Sequence, residues 1–285
     1  MSSQGDRRLA VECSVRARAH CIVGLATALA VLPLASLAST PFAGTWTVDP
    51  QRTEFLSMLP FGLSIEHGIY KRTSCAVPDE VPADGIEHAV TGDPLIDAMS
   101  VHLVGERAVD IVQTVKGVVV WRGWYSLARD RRSMTLRFED DRATQPVTGS
   151  ILFERLGEPG SGMHALSGSW RPSRMLDLSA SGRTLTFEDT DNGLIMRASD
   201  GRSFTNTFGD RGGETAPLHG YLDGAMVYVS RRAPNKLQIN RTQNGTLVEF
   251  TIGTVSADGQ QLELGQLDEQ CQAKTTWMLR KQPAS

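Results

Sequence analysis

Three histidines in the first half of the chain are the residues that could most readily bind a metal ion. His67, His88 and His102 each lie near an acidic residue, and Glu66 and Glu87 are adjacent to the first two. Zinc is commonly held by histidine, cysteine and carboxylate side chains, but in characteristic short spacings. Spacings of 21 and 14 residues match no such pattern. We therefore predict no metal site.

Serine and carboxylate chemistry is also weakly indicated. Ser133 and Ser150 lie in or beside strand-like runs, and the chain has no Gly-x-Ser-x-Gly nucleophile elbow. The acidic runs at 139–141 and 188–191 could serve glycoside hydrolysis only if two carboxylates faced each other across a cleft. Such runs at hairpin ends are usually solvated turns. The prediction is a non-enzymatic protein with no catalytic residues and no cofactor.

The N-terminal segment has the features of a secretory signal peptide. Arginines at positions 7, 8, 16 and 18 precede the apolar run CIVGLATALAVLPLASLA, which ends in small residues at Ser36 and Ala38. This order is typical of a leader cleaved after the small residues, and the run, interrupted by Pro33, is short for a membrane span. We predict a signal peptide at 1–38, no membrane span in the mature chain, and a periplasmic or extracellular location.

Charge and cysteine content narrow the classes of partner. Without residues 1–38 the chain has 25 basic and 30 acidic side chains and no basic cluster. This composition argues against a nucleic-acid partner and against a polybasic membrane patch. Cys75 and Cys271 remain, and an oxidising compartment would allow them to form a disulfide. The sequence leaves that pairing and the oligomeric state open.

The chain contains an internal repeat at an offset of about 125 residues. Two of the matching pairs are FAGTW (42–46) with LSGSW (166–170) and ILFER (151–155) with TWMLR (276–280). A repeat kept in register along most of its length indicates one structural unit used twice. We therefore predict two domains, at 42–157 and 164–282.

Inside each unit the apolar residues recur at every second position, as in SMTLRFE and TLVEFTIGTV, which is typical of β-strands. Turns such as VKG and QNG separate these runs, and their Gly or Asn can adopt the positive φ of a tight hairpin. An antiparallel meander avoids exposed edges most simply by closing into a barrel. The predicted fold is all-β, with two tandem antiparallel barrels of about eight to nine strands each.

The stretches GTWTVDPQRTEF, ADGIEHAVTGD and YSLARDRRSMTL together resemble a family of exported bacterial lipocalin-like domains. The likeness covers most of residues 42–156, and the second unit matches the pattern better in its C-terminal half. The resemblance implies that the Gly-x-Trp tryptophan closes the barrel floor beneath an arginine of the last strand. By this reasoning Trp46 would pair with Arg155, and Trp170 with Arg280. A guanidinium over an indole gains about 1 kcal/mol of cation–π energy.

Two segments depart from the family pattern and are expected in loops or at a barrel mouth: FLSMLPFGL at 55–63 and DRGGETAPLHGYLDGA at 210–225. The first is unusually apolar and could either gate a ligand or form a short helical lid that plugs one barrel. Two tryptophans of the run VVVWRGWYS would face opposite sides unless a bulge at Gly123 intervenes. The candidate ligand-binding residues are Phe55, Met58, Leu59, Phe61, Leu63, Trp121 and Trp124.

These features favour a secreted, non-enzymatic protein that binds a small apolar or amphipathic molecule, or a lipid, in the cell envelope. One alternative is a calycin-type isomerase or hydratase with its site between the two barrels. Another is a structural or inhibitory envelope protein with filled barrels. An open apolar cavity would favour binding, a filled interior the structural protein, and convergent histidines and acids the enzyme.

Overall fold

The computed structural model describes residues 40–57, 60–72, 80–158, 163–209, 212–269 and 273–283. These residues form 22 β-strands and three short 3₁₀ turns (Pro50–Arg52, Gly105–Arg107 and Ala180–Gly182), and no α-helix occurs among them. The strands make two antiparallel sheets, each nearly closed into a barrel. The prediction of an all-β fold with two tandem barrels is therefore confirmed.

The first barrel is built from a continuous stretch of the chain. Its ten strands are β3 (Phe61–Glu66), β4 (Ile69–Arg72), β5 (Glu80–Pro82), β6 (Asp84–Ala89), β7 (Ala98–Leu103), β8 (Ala108–Val115), β9 (Val118–Leu127), β10 (Ser133–Asp140), β11 (Val147–Leu156) and β12 (Gly168–Leu178). In the sheet they follow the order β5-β4-β3-β12-β11-β10-β9-β8-β7-β6.

The second barrel combines the start of the described chain with its C-terminal half. Its twelve strands are β1 (Gly44–Val48), β2 (Glu54–Ser57), β13 (Thr184–Asp189), β14 (Gly193–Ala198), β15 (Ser203–Gly209), β16 (Gly212–Gly213), β17 (Thr215–Pro217), β18 (Ala225–Ala233), β19 (Lys236–Gln243), β20 (Thr246–Val255), β21 (Gln261–Asp268) and β22 (Ala273–Lys281). The order is β16-β15-β14-β13-β1-β22-β21-β20-β19-β18-β17, and β2 pairs with β22.

Both strand numbers exceed the expected eight to nine because short strands at the sheet ends add to the meander. The ends of the second sheet approach each other, since Ser203 and His219 exchange two backbone hydrogen bonds of 3.0 and 2.9 Å. In the first sheet, the amide of Ala83, which lies between the end strands β5 and β6, donates to the carbonyl of Gly68 at 2.7 Å. These bonds satisfy backbone groups that an open edge would leave exposed.

The hairpin turns follow the chemistry expected from the sequence. Lys116 and Gly117 have φ values of 52° and 75°, and Asn244 and Gly245 have φ values of 49° and 84°. Two successive residues of positive φ form the turn whose twist matches that of the flanking strands, and glycine adopts this conformation without strain. The VKG and QNG turns thus fix the register of the hairpins β8–β9 and β19–β20.

The first strand of each sequence unit lies in the barrel of the other unit. β1, which carries Trp46, runs between β13 and β22, and Trp46 pairs with Leu185 and Lys281. β12, which carries Trp170, runs between β11 and β3, and Trp170 pairs with Arg155 and Phe61. The repeat boundaries at 42–157 and 164–282 are thus not the boundaries of the two packed barrels.

The two tryptophans occupy equivalent positions in the exchanged strands. Both are fully buried, Trp46 in the core of the second barrel and Trp170 in that of the first. Each donates its indole N–H to the carbonyl of the residue four positions earlier, Trp46 to Phe42 at 2.7 Å and Trp170 to Leu166 at 2.9 Å. The shared bond indicates that the repeat preserves the geometry of this strand.

The exchange also corrects the expected pairing of tryptophan and cation. Arg155 covers Trp170 with its guanidinium carbon 4.1 Å from the ring centroid, and Lys281 covers Trp46 at 5.2 Å. Arg280 instead is mostly exposed and donates to Asp49 at 3.4 Å. The physical reason is strand register, because Lys281 rather than Arg280 lies directly opposite Trp46.

Candidate functional site

The apolar segment at 55–63 is strand rather than loop wherever the structure describes it. Phe55 lies on β2 opposite Thr275, and Phe61 and Leu63 lie on β3 opposite Trp170 and Gly168. The expectation of a loop or lid is therefore wrong for these residues, because pairing with β22 and β12 satisfies their backbone groups. Met58 and Leu59 lie outside the described residues.

Phe61 and Leu63 contribute to the core of the first barrel. The ring of Phe61 stacks on Tyr125 with 6.0 Å between centroids and lies 5.7 Å from Phe153. Leu63 is almost completely buried. These contacts are sufficient to explain why the segment is apolar, and they give it a packing role.

Trp121 and Trp124 face opposite sides of β9. Trp121 packs against the first core, and its ring covers Gly123 so closely that a Cβ atom there would overlap it. Trp124 lies on the other face, with the guanidinium carbon of Arg137 5.7 Å from its ring centroid. The irregularity in β9 lies between Val119 and Trp121, which pair with Thr114 and Gln113 of β8, and not at Gly123.

A cavity with a volume of about 330 Å³ lies inside the second barrel. One part of its wall is apolar and includes Val48, Leu185, Phe187, Met196, Phe204 and Leu264. A few residues of β10, β11 and their connecting loop also line it: Phe138, Asp140, Arg142, Ala143 and Val147. The first barrel therefore supplies part of the wall of a cavity in the second.

Three ion pairs form the polar part of this wall. Arg142 binds Asp140 through both Nε and Nη2, with the shorter contact at 2.5 Å. Arg202 Nε donates to the buried Asp200 at 2.7 Å. The third pair, on β19 and β20, joins residues directly opposite each other in the ladder. We call the residues of the three pairs the ionic wall: Asp140, Arg142, Asp200, Arg202, Arg241 and Glu249.

The pair between Arg241 and Glu249 is the most extensively bonded. Its Nη2 to Oε2 distance is 2.9 Å, and Glu249 also accepts from Thr251 at 3.1 Å and from Gln266 at 2.6 Å. Gln266 in turn accepts from the indole N–H of Trp277 at 2.8 Å. Burial alone would raise the pKa of Glu249, but the charge of Arg241 and these bonds outweigh burial and hold it below its usual value.

Tyr221 contacts two of the arginines of the ionic wall. Its hydroxyl accepts from Arg241 Nη1 at 3.2 Å, and the guanidinium carbon of Arg241 lies 5.0 Å from its ring centroid. Arg202 lies 5.8 Å from the same centroid. Tyr221 belongs to the segment 210–225 that departs from the family pattern, so that departure places an aromatic ring at the cavity.

A smaller cavity of about 210 Å³ lies in the first barrel. Tyr70, Ile111, Trp121 and Tyr125 contribute to its lining, together with four charged residues: Arg72, Asp93, Arg142 and Asp268. Arg142 is thus common to both cavities. Arg72 and Asp93 approach to 3.9 Å.

The remaining chemistry-bearing residues do not converge on either cavity. His88 pairs with Asp84 at 3.0 Å, and His67 is exposed. No cluster of three or more histidine, cysteine or acidic side chains that could hold a metal ion occurs among the described residues. Cys75 and Cys271 lie outside the described residues, so their pairing stays a prediction.

The sequence reasoning missed the ionic wall. Asp140 belongs to an acidic run that the sequence predicts to be a solvated turn, and its two neighbours, Glu139 and Asp141, do pair with Arg122, at 3.6 and 2.6 Å. The sequence of β19 does contain an indication of this wall. Arg241 follows Leu237 and Ile239 at every second position, so its side chain lies on the same, interior face of the strand. A charged residue in an inward row indicates a polar interior site.

Comparison with protein-family models, with curated proteins and with solved structures finds no match to this chain. The lipocalin-like resemblance therefore rests on the sequence motifs alone. No helix in the portion that the structure describes has the length and apolar character needed to cross a membrane.

Proposed function

We propose that the chain is an exported, non-enzymatic, lipocalin-like protein whose second barrel binds one small amphipathic molecule. Export is supported by the leader-like segment at 1–38, and the family assignment by the Gly-x-Trp motifs at both strand exchanges. The binding function is inferred from the residues that line the interior of the second barrel.

The observation that carries the proposal is the cavity of about 330 Å³ in that barrel. Ligand pockets occupy roughly 300–1,000 Å³ and combine a mainly apolar lining with a few placed polar groups. An apolar wall that includes Phe187, Met196 and Phe204 faces the same space as the ionic wall. This division fits a molecule with an apolar body and a polar end better than it fits a purely structural barrel with a filled core.

The test is a search for a bound molecule. The protein should be purified from periplasmic material and examined by native mass spectrometry, and then titrated with 1-anilinonaphthalene-8-sulfonate, a fluorescent amphipathic probe. We expect either a co-purifying small molecule or saturable, one-site probe binding.

A matched pair of variants assigns the binding to the cavity. Met196→Trp replaces an unbranched side chain at the apolar wall with a bulky indole ring and should abolish saturable binding. Leu176→Trp adds the same ring at an exposed position of β12 and should leave saturable binding intact. Absence of both a bound molecule and saturable probe binding in the parent protein would contradict the proposal and favour a structural role.

A further inference from the structure

The ionic wall carries no net charge, which restricts the polar end of a ligand. Three guanidinium groups, of Arg142, Arg202 and Arg241, face three carboxylates, of Asp140, Asp200 and Glu249. The desolvation of an ion in a buried site is strongly unfavourable unless an opposite charge compensates it. A charged ligand would leave the wall with one uncompensated charge.

The carboxylates of the wall are already occupied by donors. Both oxygens of Asp140 accept from Arg142, and both oxygens of Asp200 accept from Arg202. Glu249 accepts from Thr251 on Oε1 and from Arg241 and Gln266 on Oε2. A cationic head group would therefore have to compete with bonds that the protein already makes.

The arginines, by contrast, have donors to spare. A guanidinium carries five N–H donors, and Arg202 bonds Asp200 through Nε and the backbone amide only, within the described residues. The Nε atom of Arg241 is buried and has no hydrogen-bond partner among them. No ligand atom reaches that Nε from the cavity, so the donors available to a ligand are the Nη groups of Arg202, which lines the cavity.

On this basis, and resting on the proposed binding function, we propose that the second barrel selects an uncharged amphipathic molecule whose polar end carries a hydrogen-bond-accepting oxygen. An aliphatic ketone, ester or alcohol has this chemistry. Its oxygen would accept from the guanidinium donors beside Tyr221, and its alkyl chain would lie along the apolar wall. Asp93 lies close enough to act on the charge of Arg142, which adds to the disadvantage of a carboxylate.

The test compares ligands that share one apolar body. The full chain is titrated at pH 7 with 2-decanone, decanol, decanoate and decylammonium by isothermal calorimetry. We expect the two neutral compounds to bind at least about tenfold more tightly than either ion, which corresponds to about 1.4 kcal/mol.

A charge-changing variant then tests the wall directly. Glu249→Gln keeps the shape and an acceptor oxygen but gives the wall one excess positive charge, so the affinity for decanoate relative to that for 2-decanone should rise about tenfold. Glu188→Gln makes the same change in the charge of the whole protein at an exposed pair with Arg197, and should alter neither. If Glu249→Gln fails to fold, Asp140→Asn replaces it.

The outcomes separate the two proposals. If no member of the series binds the parent protein, the binding function itself fails. If decanoate or decylammonium binds the parent protein most tightly, the binding function stands and the preference for a neutral ligand is refuted. Equal responses of Glu249→Gln and Glu188→Gln would also refute the role of the wall.

Discussion

Replacing each of the two closing tryptophans tests the strand exchange, because the exchange predicts which barrel each replacement loosens. Trp46→Ala should destabilise the second barrel, although Trp46 begins the first sequence unit, and Trp170→Ala should destabilise the first. If each unit instead closed on its own first strand, the two results would be reversed.

The expected size of the effect follows from burial and bonding. Both side chains have no exposed surface, and truncating a buried tryptophan to alanine costs about 3–5 kcal/mol. The lost indole bond to the carbonyl of Phe42 or Leu166 adds about 0.5–1.5 kcal/mol. Each replacement also loses a cation contact, and the one between Trp170 and Arg155 at 4.1 Å is closer than the one between Trp46 and Lys281 at 5.2 Å, so Trp170→Ala should be the more damaging change.

The assay is hydrogen–deuterium exchange read by mass spectrometry of peptides. In Trp46→Ala, exchange should accelerate in 184–281 and change less in 61–156, and in Trp170→Ala the pattern should invert. These losses are a large part of the 5–15 kcal/mol that stabilises a typical domain, so Trp→Phe at the same positions provides milder variants. Acceleration confined to 61–156 in the Trp46 variants would refute the exchange.

Three further changes have defined outcomes. A fragment of residues 61–178 should give a cooperative thermal transition by circular dichroism, whereas the fragment 42–157, of nearly equal length, should not, because it lacks the strand that completes the first barrel. Gly193→Ala should lower the thermal midpoint by the equivalent of about 1–3 kcal/mol, since its Cβ would overlap a carbonyl oxygen of the neighbouring strand, while Gly265→Ala meets only ordinary contacts. Burial raises the pKa of Glu249, but its arginine partner and hydrogen bonds outweigh burial and lower the pKa below the ordinary value of 4.5. Ionised Glu249 therefore stabilises the fold at a pH above 4.5, and this stability is lost as the pH falls from 4.5 through the lowered pKa. Glu249→Gln should therefore show a shallower loss of thermal midpoint on acidification, and an unchanged slope would contradict the ion pair.

Local sequence features were enough to predict the strands and their turns. Alternation along SMTLRFE and TLVEFTIGTV reflects one face on a core and one toward solvent, and this relation holds in either barrel. Lys116-Gly117 and Asn244-Gly245 predict tight turns because few residue pairs adopt two positive φ values in succession. Such signals depend on near neighbours and so survive any rearrangement of whole strands.

The exchange of β1 and β12 could not be predicted in this way. FAGTW and LSGSW are so similar that each is suited to either position, between β11 and β3 or between β13 and β22. Which position each strand takes depends on the path between elements, and only residues 58–60 separate β2, in the second barrel, from β3, in the first. The repeat in the sequence shows that two equivalent strands exist, and it carries no information on their partners.

The strand pairing of the apolar segment and the assembly of the ionic wall could not be predicted for a related reason. The run FLSMLPFGL is apolar in composition, and its described part pairs β2 and β3 with neighbouring strands, with Phe61 and Leu63 contributing to the first core. The ionic wall, in contrast, joins residues distant in sequence, such as Asp140 and Arg202, whose proximity depends on how the two barrels meet. In the sequence, charged residues of this kind cannot be distinguished from charged surface residues, because their burial depends on which strands pack against them.

The cavity in the second barrel therefore depends on the duplication itself. Its wall takes Val48 from the exchanged strand β1, five residues from the part of the first barrel between Phe138 and Val147, and the remaining residues from 178–277. A single unit would lack its partner's closing strand and the arginine shared between the cavities. Because Arg142 lies in the lining of both, a change in the first barrel that moves Asp93 or Arg72 would alter the field at the ionic wall. The binding site proposed for the second barrel is therefore a property of both barrels, because the first barrel holds part of its polar wall.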